Sequence, residues 1–205
     1  MTDTELRMTD HELLALLSMT PTESAATTLG LFRLDQHAQN QLLQNAGLTT
    51  LMVRGLAQAQ GELIVPIENC AVVGTVLSQA QEWLEISLTT PSTEHVLFTA
   101  GSNVGAVLLS LSPFGVHEIQ PIESGPAMLA LGVHLCREYL VGAAEGLPAT
   151  AVIKRLRTGA EPVVAQLTAV ESGNWTLRTG SETDFTEHSV SPADALDRLE
   201  AALEA

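Results

Sequence analysis

Along this chain the spacing of apolar residues changes at Glu82, from a helical repeat before it to strict alternation after it. In the first stretch Thr9 stands three residues ahead of Glu12, the spacing of a capping box, just before Leu13, Leu14, Leu16 and Leu17. A short helix over about residues 10–18 follows from that signal. Thr20-Pro21-Thr22 ends the pattern, because proline cannot donate to a helical ladder and restricts the residue before it. Asp35 then caps a second helix, Gln36 to Asn45, closed by Gly47 where a helix end tolerates a left-handed residue. Leu48 to Ala59 reads as a third helix, with Leu48, Leu51, Met52 and Leu56 on one face. Leu63-Ile64-Val65 fits strand or loop, and Asn69 to Gln81 sets Val72, Val73, Val76, Leu77 and Ala80 at helical spacing.

From Glu82 onward Leu84, Ile86 and Leu88 alternate with Glu85, Ser87 and Thr89, as in a strand with one wet face. Thr90-Pro91-Ser92 is a turn, His95 to Thr99 a second strand, Gly101-Ser102-Asn103 another turn, and Val104 to Leu111 a nearly all-apolar strand expected to be central and buried on both faces. Ser112-Pro113-Phe114-Gly115 has the residues of a type I turn, and Val116 to Ile122 is a fourth strand. Connections this short forbid crossovers, so the four strands form an antiparallel meander. Ser124-Gly125-Pro126 opens a helix through about Val141.

The order then recurs. Ala151 to Arg157, Val163 to Val170, Trp175 to Thr179 and Phe185 to Val190 read as four more strands, and Ser191-Pro192-Ala193-Asp194 starts a closing helix with Leu196, Leu199 and Leu203 on one stripe. The expected fold class is α+β: an antiparallel sheet built from two pseudo-repeated meander–helix units, with an N-terminal helical segment. The expected division is 1–81 for that segment, 82–145 for the first unit and 146–205 for the second, in one compact domain. Two such sheets would merge most economically into one, hiding two edges.

Composition narrows the function. Of 205 residues 45 % are hydrophobic, enough for a substantial core, and 9 Lys plus Arg against 24 Asp plus Glu leave a formal charge of −15. Such a field repels phosphate backbones and anionic lipid, so neither nucleic acid nor membrane insertion is expected. The two cysteines fit a reducing compartment, and the acidic N-terminus lacks the basic and apolar regions of a signal peptide, so a cytoplasmic protein is expected.

The residues specify no catalytic, metal or cofactor site. Gly101-Ser102-Asn103-Val104-Gly105 lacks the lysine of a phosphate loop, and His11-Glu12 has alanine at position 15 where a zinc helix needs its second histidine. His134 and Glu138, one turn apart around Cys136, are more simply surface and filler residues. Cys70 begins a helix with no cation near it in sequence, and no Gly-x-Ser-x-Gly elbow marks a serine nucleophile. Candidate partner-binding positions are Trp83 and Trp175, each near a strand start, the Gly101-Ser102-Asn103 turn, and Arg155 and Arg157, which share a strand face in the only basic cluster. The default reading of those arginines is to balance neighbouring carboxylates.

The unit Leu42-Leu43-Gln44-Asn45-Ala46-Gly47-Leu48, the stretch Leu51-Met52-Val53-Arg54-Gly55-Leu56 and the tail Trp175-Thr176-Leu177 … Val190-Ser191-Pro192-Ala193-Asp194 … Leu199 complete a pattern similar to the EspG family of actinobacterial chaperones for type VII secretion. The resemblance implies a quasi-two-fold α+β fold around an antiparallel sheet, and non-catalytic binding of a helical secretion substrate on that sheet and its adjoining helix. The leading expectation is therefore a cytosolic, chaperone-like protein that shields an apolar or helical surface of a partner. Two alternatives stand beside it: a small-molecule hydrolase or transferase with a site between the two units, and an obligate homodimer.

Overall fold

The computed structural model describes residues 6–142, 146–181 and 184–204. The elements in chain order are β1 (Leu6–Thr9), α1 (Asp10–Ser18), α2 (Glu23–Leu31), a single 3-10 turn (Asp35–His37), α3 (Gln41–Val53), β2 (Ala57–Gln60), β3 (Leu63–Pro66), α4 (Glu68–Ser78), β4 (Glu82–Thr89), β5 (Glu94–Ser102), β6 (Gly105–Leu111), β7 (Val116–Ile122), α5 (Pro126–Val141), β8 (Ala149–Arg157), β9 (Val163–Ala169), β10 (Trp175–Gly180), β11 (Phe185–Val190) and α6 (Ala195–Glu204). The larger sheet has the hydrogen-bonded order β1-β7-β6-β5-β4-β8-β9-β10-β11, and β2 pairs with β3 alone. The protein is α+β, with a large antiparallel sheet and a small one, and four strands followed by a helix occur twice in the chain order.

Two compact units divide the chain: residues 1–81 with 100–124, and residues 82–99 with 125–205. In the first, the capping box forms as read, with the Glu12 N–H donating to Thr9 Oγ1 (3.2 Å) and the Thr9 N–H to Glu12 Oε2 (2.8 Å). Several expectations are corrected in this unit. Beyond Pro21, Thr22 caps an unanticipated helix, α2, its Oγ1 accepting from the Ala25 N–H at 3.0 Å. Proline here lies just outside a helix start, where its missing donor costs nothing. The two helices expected over 36–59 are one, capped by Asn40 and running through Gly47, and Ala57–Gln60 is a strand.

Gly47 therefore does not close a helix. A Cβ at this position would lie 1.9 Å from the His11 carbonyl oxygen, so glycine is what lets α3 press onto α1. Gly74 does the same for α4, where a Cβ would sit 2.9 Å from Leu16 Cδ1. Leu13, Leu14, Leu17, Leu51 and Leu77 fill the space so closed. On the sheet side of this unit, β5 runs on through Ser102, so the turn is Asn103-Val104 rather than 101–103. Leu109 of β6 is fully buried, while Leu108 and Ser110 on the strand's other face are half-buried.

In the second unit β4 pairs with β8, and β8, β9, β10 and β11 follow as an antiparallel meander. Helix α5 covers β4 and β8, and Gly132 lets it approach, since a Cβ there would lie 3.2 Å from Leu84 Cδ1. The closing helix starts four residues later than its signal. Ser191 and Asp194 first form a turn, with Ser191 Oγ donating to Asp194 Oδ2 (2.7 Å), and Asp194 then accepts the Arg198 N–H at its carbonyl. Leu196, Leu199 and Leu203 are buried as one stripe, as the spacing predicts.

Gly47→Ala should cost about 3 kcal/mol or more in urea unfolding, because backbone must move to admit the methyl. Gly30→Ala, in α2 with open space around it, should add about 0.5–1 kcal/mol; equal effects would show that α1 and α3 are not in contact. Leu109→Asp leaves an uncompensated charge in the core and should abolish soluble expression. A cooperative melt in that variant would refute the placement of β6.

Candidate functional site

Helix α4 carries valines on more than its buried face. With Gly74 seated on Leu16, Val73 and Val76 are buried, whereas Val72 is 55 % exposed. Across from it lie the turn before β6, where Val104 is 57 % exposed, the end of β7, and Leu6 of β1, which pairs with Ile119. Together they line an apolar groove of about 190 Å³, whose walls include Val72, Val76, Val104, Val107, Ile119 and Ile122. Asn69 is the one polar side chain among its described lining residues. With no titratable group in its wall, this groove can bury apolar surface and do no acid–base chemistry.

A second concavity in the same unit, of about 280 Å³, has a different character. Asp10, His11, Arg33 and His37 share its wall with Phe32, Leu34, Leu14 and Leu43. Behind it His117 is buried, its Nδ1 accepting the Ser112 N–H (3.2 Å) while Nε2 donates to Asp10 Oδ1 (2.8 Å), and Phe32 stacks on the ring. Both ring nitrogens are thus committed, and the imidazole has no free position for a general base. No group of three or more His, Cys, Asp or Glu that could hold a metal occurs among the described residues.

The cysteines are inert fillers. Burial pushes the Cys136 thiol up to about 12. Cys70 is pushed up to about 11, first by burial and then by the nearby Glu12 carboxylate. The fold does bring a cation to Cys70, since Arg54 lowers its value, but the two opposing effects prevail.

Trp83 is 3 % exposed, the burial of a core side chain, and Trp175 is half-buried at the start of β10 opposite Val190. Gly101 and Ser102 are buried at the end of β5, with the Ser102 hydroxyl accepting the Val104 N–H and donating to the Gly105 carbonyl, while Asn103 is exposed. Arg155 takes the role of charge balance: its Nε donates to Glu82 at 2.5 Å and its Nη1 to the Leu203 carbonyl at 2.8 Å. Arg157 is half-buried on the same strand. The groove residues were not selected from sequence, although Val72 was a visible surplus, an apolar residue on a helix whose core face Val73, Val76 and Leu77 already fill.

No protein-family model matches this chain, and no curated protein does. Among solved structures it is similar over 98 % of its length, and over 95 % of the other chain, to a chain of the structure of the Mycobacterium tuberculosis type VII secretion system chaperone EspG5 in complex with the PE25–PPE41 dimer. The TM-score is 0.56 at 10 % identity, a likeness of fold. Among the described residues no helix is long and apolar enough to cross a membrane.

The thiol values make a direct prediction. A disulfide reagent at pH 8 should label neither cysteine in the folded chain and both in urea; rapid labelling of the native protein would show that the pair is not buried. Because an unfolded thiol ionises near 9 and the folded Cys70 near 11, this residue's contribution to stability is complete below pH 9. It is lost as the pH rises toward 11, where the unfolded state alone sheds the proton.

Proposed function

We propose that this chain is a chaperone-like, cytoplasmic protein that shields an apolar helix of a protein partner in the groove between α4, β6 and β7. The observation that carries the reading is the groove itself: Val72 and Val104 exposed and Ile122 half-buried over a floor of buried Val76, Val107 and Ile119, in a concave surface with no titratable side chain in its described wall. A helix presenting anchors at i, i+3 and i+4 matches such a wall. Strand addition fits less well, because on the outer strand β1 the Arg7 carbonyl is already taken by Arg54 Nη2 at 2.8 Å.

The fold likeness to a structure described as a secretion chaperone with a bound protein dimer supports a protein as the partner. The EspG-like sequence pattern narrows that partner to a helical type VII secretion substrate. Two free, buried cysteines support a reducing cytoplasm.

Affinity purification at native expression, followed by mass spectrometry, tests this. The native chain should retain a stoichiometric helical partner, and the double variant Val72→Glu, Val104→Glu should lose it with unchanged circular dichroism, since both positions are exposed. Equal capture by the two proteins would remove the groove from the interface. A chain that runs alone as a dimer in light scattering would favour self-assembly instead.

A further inference from the structure

We propose that the second concavity of the first unit, between α1, the end of α2 and the start of α3, binds an organic carboxylate through Arg33, with His11 and His37 beside it. Two helices of this unit end in the same hydrogen-bonded motif. In α3 the Gly55 N–H donates to the Met52 carbonyl and the Leu56 N–H to the Leu51 carbonyl, with Gly55 at φ +68°. In α2 the Arg33 N–H donates to Gly30 and the Leu34 N–H to Leu29, and the left-handed residue, at φ +58°, is arginine. Glycine adopts that conformation freely and a residue with a Cβ does not, so at this site the chain carries backbone strain that it avoids at the other.

What the strain secures is a guanidinium on the pocket wall. Arg7, Arg54, Arg155 and Arg178 each lie against a carboxylate, respectively Glu118, Glu12, Glu82 and Glu187. Arg33, like Arg137, Arg157 and Arg198, has no such partner among the described residues, in a chain whose acids outnumber its bases 24 to 9, and of these four it is the one on the wall of this pocket. Its fork is therefore open to an anion from outside. Asp10, whose carboxylate lines the same pocket, makes each further negative charge on that anion more costly, so a monoanion is favoured over a dianion such as phosphate. Leu14, Leu34 and Leu43 receive an apolar carbon body. The matching chemistry is a monocarboxylate on a short apolar chain, supplied by a free acid or by an acidic side chain next to an apolar one in a peptide.

This inference does not depend on the groove. Titration of the His11 and His37 imidazole signals in NMR with sodium hexanoate, with N-acetyl-Leu-Asp amide, with hexanamide and with inorganic phosphate tests it. Saturable shifts are expected with hexanoate or the peptide, the tighter of the two identifying the source, and none with hexanamide or phosphate. Arg33→Gly should weaken the carboxylate tenfold or more while raising the melting temperature by about 2–4 °C, because it relieves the strained backbone. A merely structural arginine would move only the second readout. Hexanamide or phosphate shifting the signals as strongly as hexanoate, no saturable shift at all, or an Arg33→Gly protein that binds as tightly as the native chain would overturn the assignment.

Discussion

The first unit is organised around one carboxylate that water does not reach. Glu12 is fully buried, and withdrawing an ionised group from solvent is costly unless every oxygen finds a donor. Here it does: Oε2 accepts the Thr9 N–H at 2.8 Å, and Arg54 Nη1 reaches Oε1 at 2.9 Å and Oε2 at 2.7 Å. Three backbone tasks are completed by that pair. The carboxylate closes the start of α1; Arg54, the C-cap of α3, places a cation where the helix dipole favours one; and its Nη2 occupies the Arg7 carbonyl of β1. With α1 and α3 held together at those ends, the Gly47 backbone rests against His11, and Cys70 lies close enough to feel both charges.

The second unit is held differently. Its sheet and two helices meet through Leu84, Ile86, Ile153, Leu167, Met128 and Leu199, all buried, and its principal ion pair serves a helix end. Arg155 reaches from β8 to Glu82 and to the carbonyl of Leu203 in the last turn of α6, giving that turn a donor and a positive charge. At the terminal strand β11 the exposed run Thr186 to Ser189 sets Glu187 and His188 on the outer edge, and polar, charged edges discourage pairing with another chain.

How much of this was legible depended on whether the signal was local. The meanders were, because alternation around Leu84, Ile86 and Leu88 and turns such as Ser112-Pro113-Phe114-Gly115 are set by neighbours in sequence. The capping box at Thr9 and Glu12 was local too, but Glu12's larger role was not, since Arg54 is 42 residues away. Gly47 misled for the same reason: a glycine near a polar run reads as a helix end, and only the approach of His11 shows that it is a packing residue inside α3. The strand β1 was missed because Leu6 to Thr9 has no alternation long enough to register; it is defined by pairing with β7. The groove went unread because it joins α4 to β6 and β7 across a gap in sequence, leaving the surplus of Val72 as its one local trace.

Places where a sequence breaks its own local rules without an evident structural gain are where function is best sought. Val72 and Val104 break the rule that exposed helix and turn positions are polar, as Leu42, Val53, Phe114 and Val141 do more strongly, but the two valines share one concave wall; Arg33 breaks the rule that a left-handed helix end is glycine. The first is a cost in solubility and the second a cost in backbone strain, and the Arg33 guanidinium has no ion pair among the described residues to set against it. By contrast the buried carboxylate of Glu12 has a donor at each oxygen from within the chain and so reads as architecture. The same test separates Arg155, whose fork is filled by Glu82 and Leu203, from Arg33, whose fork is open. Uncompensated cost, more than exposure or charge alone, is the ground on which the valine groove and the arginine pocket are proposed as binding surfaces.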